Sequence, residues 1–342
     1  MEYKNKQNKM ILFGIVIVFI LALAPVFLDG SIIYRLSSIL ISALFATSFN
    51  LIFGYTGMVS FGQAAYFAIG AYTVSLFLNV VPSFFLGLGL AALISAIAAL
   101  VLGFIALRTA GIYFGILTLA LGELVYQVFY KSNWAGGQNG IAGIKAPNMN
   151  FFGWDLKLAG MPYYYFAILV TVLLSFLILW VVVNSRFGKT LISIKEDPVR
   201  AEFLGVNVKR YRLIAFIISG MFAGVAGGLS APLTSIITAD LASWTNSATP
   251  IIITLFGGYA YFLGPTVGAF IYEFFRYATA SFSDASNLLI GLMLLIVILV
   301  LPKGVLGLID IIRTKRTKLS KYKMEKNQKE VDKEVVVYDE GT

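Results

Sequence analysis

Four groups of residues carry side chains capable of chemistry in a chain that otherwise avoids polarity. The first runs from Gly54 to Tyr72 and combines Gly54, Gly57, Gly62 and Gly70 with Thr56, Ser60 and Gln63. A glycine-broken helix offers free backbone donors and acceptors to a polar solute. At membrane depth such backbone is tolerated only where it is buried in protein or lines a watery cavity. Small residues also let helices approach closely, and both uses can coexist on opposite faces. The second group is Glu123, inside an apolar run, with Gln127 one turn further on. A carboxylate in a bilayer is costly and faces a bundle interior or a pathway, or bonds a neighbouring helix. The third is Glu273 and Arg276, which at i and i+3 can pair on one helical face, a structural arrangement. Thr56, Ser60, Gln63 and Glu123 are therefore the candidates for a translocation path.

The fourth group, residues 184–210, interrupts the greasiness with mixed basic, acidic and apolar residues. Asp197 can cap a helix whose first residue is Pro198, and Gly205 can end it. That predicts about seven helical residues, roughly 10 Å. Val199, Phe203, Leu204 and Val206 have no bilayer to enter there. A short capped amphipathic helix of this kind fits a groove on another protein or lies on a lipid surface.

Other chemistry is excluded. The chain has no Cys and no His, so disulfides, Cys/His zinc sites and histidine acid–base catalysis are absent. No paired carboxylates mark a reaction centre, and no enzyme is expected. Gly188-Lys189-Thr190 looks like the end of a phosphate-binding loop, but that motif needs a glycine where Val183 stands inside an apolar run. Any ATP chemistry must therefore come from a partner.

The elements that position these groups are membrane helices. Of 342 residues, 59% are hydrophobic and 13% charged, against about 25% charged in soluble domains. Such an inventory cannot clothe a soluble surface. Apolar runs reach the ~20 residues that cross a bilayer, without the alternation of a barrel. The expected spans are 10–28, 32–53, 61–79, 84–107, 110–130, 162–183, 211–231, 248–263, 265–280 and 287–301. The fold class is all-α, a polytopic transmembrane bundle of about ten spans. Spans eight and nine, joined through Gly264-Pro265, are short enough to form one re-entrant hairpin and leave eight. Lys4, Lys6 and Lys9 precede the first span, read as a retained helix and not a cleaved signal. With the basic run from Arg313 to Lys318 and the 184–210 block, they place both termini in the cytoplasm. The 131–161 loop, with Trp134 and Trp154, falls outside. Residues 1–309 form the transmembrane domain, and 310–342 a basic, polar, disordered tail. The +9 charge is an orientation signal, and no nucleic acid is expected. Gly220, Gly224 and Gly228 form overlapping GxxxG pairs and are assigned to helix packing. Phe53-Gly54-Tyr55 and Phe256-Gly257-Gly258-Tyr259 echo each other weakly.

With these residues in view, the chain resembles the permease subunits of branched-chain amino-acid ABC importers, LivM type of the LivH/LivM permease family. The resemblance covers about residues 30–308. It rests on Gly54-Tyr-Thr-Gly-Met-Val-Ser-Phe-Gly-Gln-Ala-Ala-Tyr-Phe-Ala-Ile-Gly-Ala-Tyr72, Arg108-Thr-Ala-Gly-Ile-Tyr-Phe114 and Gly136-Gly-Gln-Asn-Gly140. It rests further on Ser185-Arg-Phe-Gly-Lys189, Glu196-Asp-Pro-Val-Arg-Ala-Glu-Phe-Leu-Gly-Val206 and Gly264-Pro-Thr-Val-Gly268. It implies that 196–206 is an EAA-type coupling loop, with Glu196, Asp197, Pro198, Ala201, Leu204 and Gly205 at the ATPase contact. It also implies a sister permease in a heterodimer, two ATP-binding subunits, an external solute-binding protein, a prokaryotic plasma membrane and no cofactor. Ser60 and Gln63 stand where amino-acid members more often carry Ser or Gly followed by His. Urea and amide permeases share most of the motifs, so the solute stays open. A self-sufficient carrier using Glu123 as a proton site is the alternative.

Overall fold

The structure is a computed structural model. It describes residues 21–279 apart from 26, 82, 145–147, 152–153 and 158–160, together with 288, 291–293, 295, 299 and 304–307. The expected spans 10–28 and 287–301 lie largely, and the 310–342 tail wholly, outside the described residues.

Among the described residues, six helices are long and apolar enough to cross a bilayer: α1 (Gly30–Thr56), α2 (Gln63–Val80), α3 (Phe84–Ala106), α4 (Ile112–Lys131), α5 (Met161–Asn184) and α8 (Val208–Thr234). Between α5 and α8 lie the short α6 (Arg186–Glu196) and α7 (Pro198–Phe203). Two further helices, α9 (Trp244–Gly257) and α10 (Gly264–Thr279), follow. At 14 and 16 residues they reach only about 21 and 24 Å, short of a ~30 Å hydrocarbon core. Their shortness agrees with the hairpin option raised for spans eight and nine.

The all-α expectation needs two additions. The strand β1 (Ile141–Ala142) pairs antiparallel with β4 (Ile236–Ile237), and β2 (Asn148–Phe151) pairs with β3 (Trp154–Lys157). Both ribbons sit in or against the 131–161 loop, where no helical periodicity satisfies the backbone and short ladders do so instead.

The packing centre is α8, which lies against α1, α2 and α3. Its small residues make that approach feasible: a Cβ on Gly220 would lie 2.5 Å from the Ala99 methyl, and one on Gly224 would collide with Ser95. Gly228 faces Val74 and Leu88. The three glycines thus lie at closely packed helix crossings, where van der Waals contact replaces the hydrophobic drive that lipid removes. By contrast α3 turns Leu93, Ile97, Leu100, Val101 and Phe104 outward, the surface expected of a lipid-facing helix. Helices α9 and α10 pair with each other and with α1.

Candidate functional site

A buried polar node lies where the broken helix meets α8. After Thr56 the chain leaves the helix through Gly57, whose φ of +75° suits glycine. It regains helix only at Gln63, two residues later than the expected start at 61. Gln63 is fully buried; its Nε2 donates to Ser219 Oγ at 2.8 Å, and Ser219 Oγ donates to the carbonyl of Ser48 at 2.6 Å. Beside it, Ser247 Oγ accepts from the amide of Ala64 (3.1 Å). Among the described residues, Gln63 Oε1, both amide atoms of Asn50 and Thr47 Oγ1 are buried without a protein partner. Buried polar groups are normally paired, so the unpartnered Gln63 Oε1 leaves this node an acceptor suited to a small polar solute. Ser60 is buried and accepts from the Gly62 amide (3.4 Å), while Thr56 donates to the Ile52 carbonyl (2.6 Å). Both hydroxyls serve the local backbone, and of the nominated polar residues Gln63 is the one that joins the node.

Glu123 lies apart from them. The loop before α2 is wedged against α4: the Phe61 amide donates to Thr118 Oγ1 (3.1 Å), and a Cβ on Gly122 would sit 3.1 Å from Gly62 Cα. Glu123 is the next residue on α4, partly exposed, and its Oε1 accepts from Gln127 Nε2 at 3.4 Å. It therefore faces outward on a surface that also exposes Tyr113, Ile116 and Gln127. A carboxylate and an amide on such a face are unsuited to lipid.

The 184–210 block folds as two capped helices. Ser185 Oγ accepts from the Gly188 amide (3.5 Å) at the start of α6, a cap not foreseen. Asp197 Oδ1 accepts from the Arg200 amide (3.0 Å), with Pro198 opening α7 as expected. The helix ends at Phe203, and Gly205 follows at φ +83°. Ala201 is buried with Ile194 and Val208, which fixes one face of α7 to the bundle. The other face is bare: Val199, Phe203 and Leu204 are 60%, 87% and 79% exposed. Glu196, Asp197 and Pro198 lie at the α6–α7 junction.

Lys195 ties this block to the broken helix. Its ammonium donates to the Gly54 carbonyl at 2.7 Å, lies 5.0 Å from the Tyr259 ring centre, and its stem touches the position opposite Gly57. Lys195 as a whole is exposed, while its ammonium bond is part-buried. Burial holds the ammonium below the usual lysine range, with Glu196 opposing the shift. Phe53 packs edge-on against Tyr259 at 5.3 Å, so the two echoing Phe-Gly-Tyr segments meet, with Lys195 against both. The sequence reading missed Lys195, Asn50, Ser219 and Ser247. Asn50 was a readable polar residue in an apolar run; the others needed a partner distant in sequence.

A family model described as branched-chain amino acid transport system / permease component matches residues 31–298. The high-affinity branched-chain amino acid transport system permease protein LivM of Escherichia coli is 30% identical over 280 residues, covering 75% of this chain and 65% of that protein. LivM of Salmonella typhimurium is 29% identical over 278 residues, with the same coverage. The probable branched-chain amino acid transport permease protein LivH of Methanocaldococcus jannaschii is 28% identical over 301 residues, covering 82% of this chain and 91% of that one. The chain thus spans 65% of the length of the two LivM relatives. No solved structure shows a significant match.

Proposed function

The chain belongs to the family of permease components of branched-chain amino acid transport systems, and from that premise we propose that it is the membrane-spanning permease of an ATP-driven importer. It works in a prokaryotic plasma membrane with a sister permease, two ATP-binding subunits and an external solute-binding protein. The solute is a branched-chain amino acid or a similar small polar molecule. Both termini and the α6–α7 block are cytoplasmic, the 131–161 segment is external, and the chain crosses the membrane eight to ten times.

The supporting observation is the bare apolar tip of α7. A capped helix, anchored by Ala201, holds Val199, Phe203 and Leu204 in the open, and a soluble groove is the natural cover for it. ATP binds the closed state of the ATPases more tightly than the open state, and this difference supplies the bias. Movement of α7 reaches α6 through the shared Ile194–Ala201–Val208 cluster. Lys195 carries it to the end of α1 and the loop preceding Gln63. The sister permease covers the Glu123–Gln127 face of α4, and the path runs between that face and the 57–62 loop, with Gln63 at its edge.

The test is copurification from the native host. Wild-type chain is expected to bring down two ATPases and a second permease, and Phe203→Glu to insert normally but lose the ATPases. Uptake driven by a proton gradient without ATPases would instead establish a self-sufficient carrier.

A further inference from the structure

We propose that a cavity at the end of the bundle opposite α7 is a recognition site for a zwitterionic aliphatic amino acid, an entry station separate from the Gln63 node. The cavity, of about 510 Å³, lies between α1, the end of α8, and α9 and α10. Glu273 lines it and is 1% exposed. Its Oε1 accepts from Ser42 Oγ at 2.8 Å, while its Oε2 has Arg276 at 3.5 Å. A charge-assisted bond of full strength is about 2.7–2.9 Å long, and a carboxylate offers about four acceptor positions. Glu273 is therefore a deeply buried carboxyl group that holds one short bond and one long ion pair, fewer than its acceptor positions allow. An α-ammonium donates three bonds and completes it.

The remaining walls suit the rest of such a molecule. The Arg276 side chain is 62% exposed and one helical turn further along α10, where it can take the α-carboxylate in a forked pair. Arg35, stacked on the cavity-lining Tyr277 at 4.6 Å, adds positive charge nearby. Ile41, Phe45, Phe67 and Leu241 line the cavity and provide an apolar wall for a branched side chain. A plain amine would leave Arg276 unmet, and a plain carboxylate would leave Glu273 unmet. The inference rests on the transport reading for the side from which solute arrives, since it makes this end external.

The experiment is equilibrium binding of tritiated leucine to the full chain in nanodiscs with its copurifying subunits, without the external binding protein. Leucine is expected to bind, and 4-methylpentanoate, which lacks the ammonium, not to displace it at equal concentration. Glu273→Gln and Arg276→Met are each expected to weaken binding at least tenfold. If Glu273→Gln fails to elute as a folded complex, Ser42→Ala and Arg276→Met carry the test. Absence of leucine binding to the wild type, or folded variants that bind as the wild type does, overturns the proposal. ATPase copurification, scored on the same samples, reports on the transport reading separately.

Discussion

Replacing Lys195 with methionine keeps the length and apolar character of the stem while removing the one charged contact between α6 and the end of α1. The lost bond to the Gly54 carbonyl is 2.7 Å long. Bonds of charged groups contribute about 1.5–3 kcal/mol net, and the exposure of Lys195 argues for the lower end. The ammonium above Tyr259 adds about 0.5 kcal/mol. Together these weaken the link by about 2 kcal/mol, roughly thirtyfold in the equilibrium that ties the position of α7 to that of the broken helix. The assay is proteoliposome uptake measured beside ATP hydrolysis. Lys195→Met is expected to retain the ATPases and hydrolyse ATP while importing far less solute per ATP. The Val199–Leu204 surface is untouched, so association should not change. A wild-type ratio of solute to ATP refutes this link, as does an equal drop in Lys189→Met, whose side chain is on the exposed side of α6.

Other perturbations test other levels. Gly224→Val should lower the midpoint of thermal unfolding by overpacking α8 against Ser95 at a cost of about 1–3 kcal/mol or more, whereas Gly89→Val, in open space, should not be overpacked. Asp197→Ala removes the cap of α7 at about 1 kcal/mol and should weaken ATPase association several-fold by titration; the exposed Arg200–Asp197 pair adds little. Glu123→Gln should alter solute KM yet leave uptake dependent on ATP and indifferent to a proton gradient; wild-type uptake that follows the gradient, and a variant that no longer does, would favour a carrier. Lys195 also predicts a pH effect. Its folded pKa lies below 10.5, so between the two values the unfolded chain holds more protons and stability should rise with pH. The penalty for the sheltered charge is complete below the folded pKa and gone above 10.5. Thermal unfolding between pH 8 and 11 should show this rise in the wild type and lose it in Lys195→Met.

Much of the architecture was legible because its causes are local. The six long helices from Gly30 to Thr234 follow from apolar run lengths, and their ends differ from expectation by at most three residues, as where Gly57 and Asn207 set the caps. The Asp197-Pro198 start of α7 needed only neighbouring residues, since a cap is formed within one turn. The ribbons were not legible: β1 finds its partner almost a hundred residues away, and nothing in two residues announces that pairing.

The polar residues divide in the same way. Composition and spacing named Thr56, Ser60, Gln63 and Glu123 as costly in a membrane, because cost depends on the side chain and its depth. Which of them work together depended on packing. Only the crossing of α8 over α1 and α2 brings Ser219 between Gln63 and the Ser48 carbonyl, and only the wedging of the 57–62 loop against α4 leaves Glu123 on an outer face. Hydrophobic burial is non-directional and proportional to area, so patterning reveals it one helix at a time. Hydrogen bonds and charges need a partner at a set distance, and for Gln63, Lys195 and Glu273 that partner lies 141 to 231 residues away, where the tertiary fold alone could supply it.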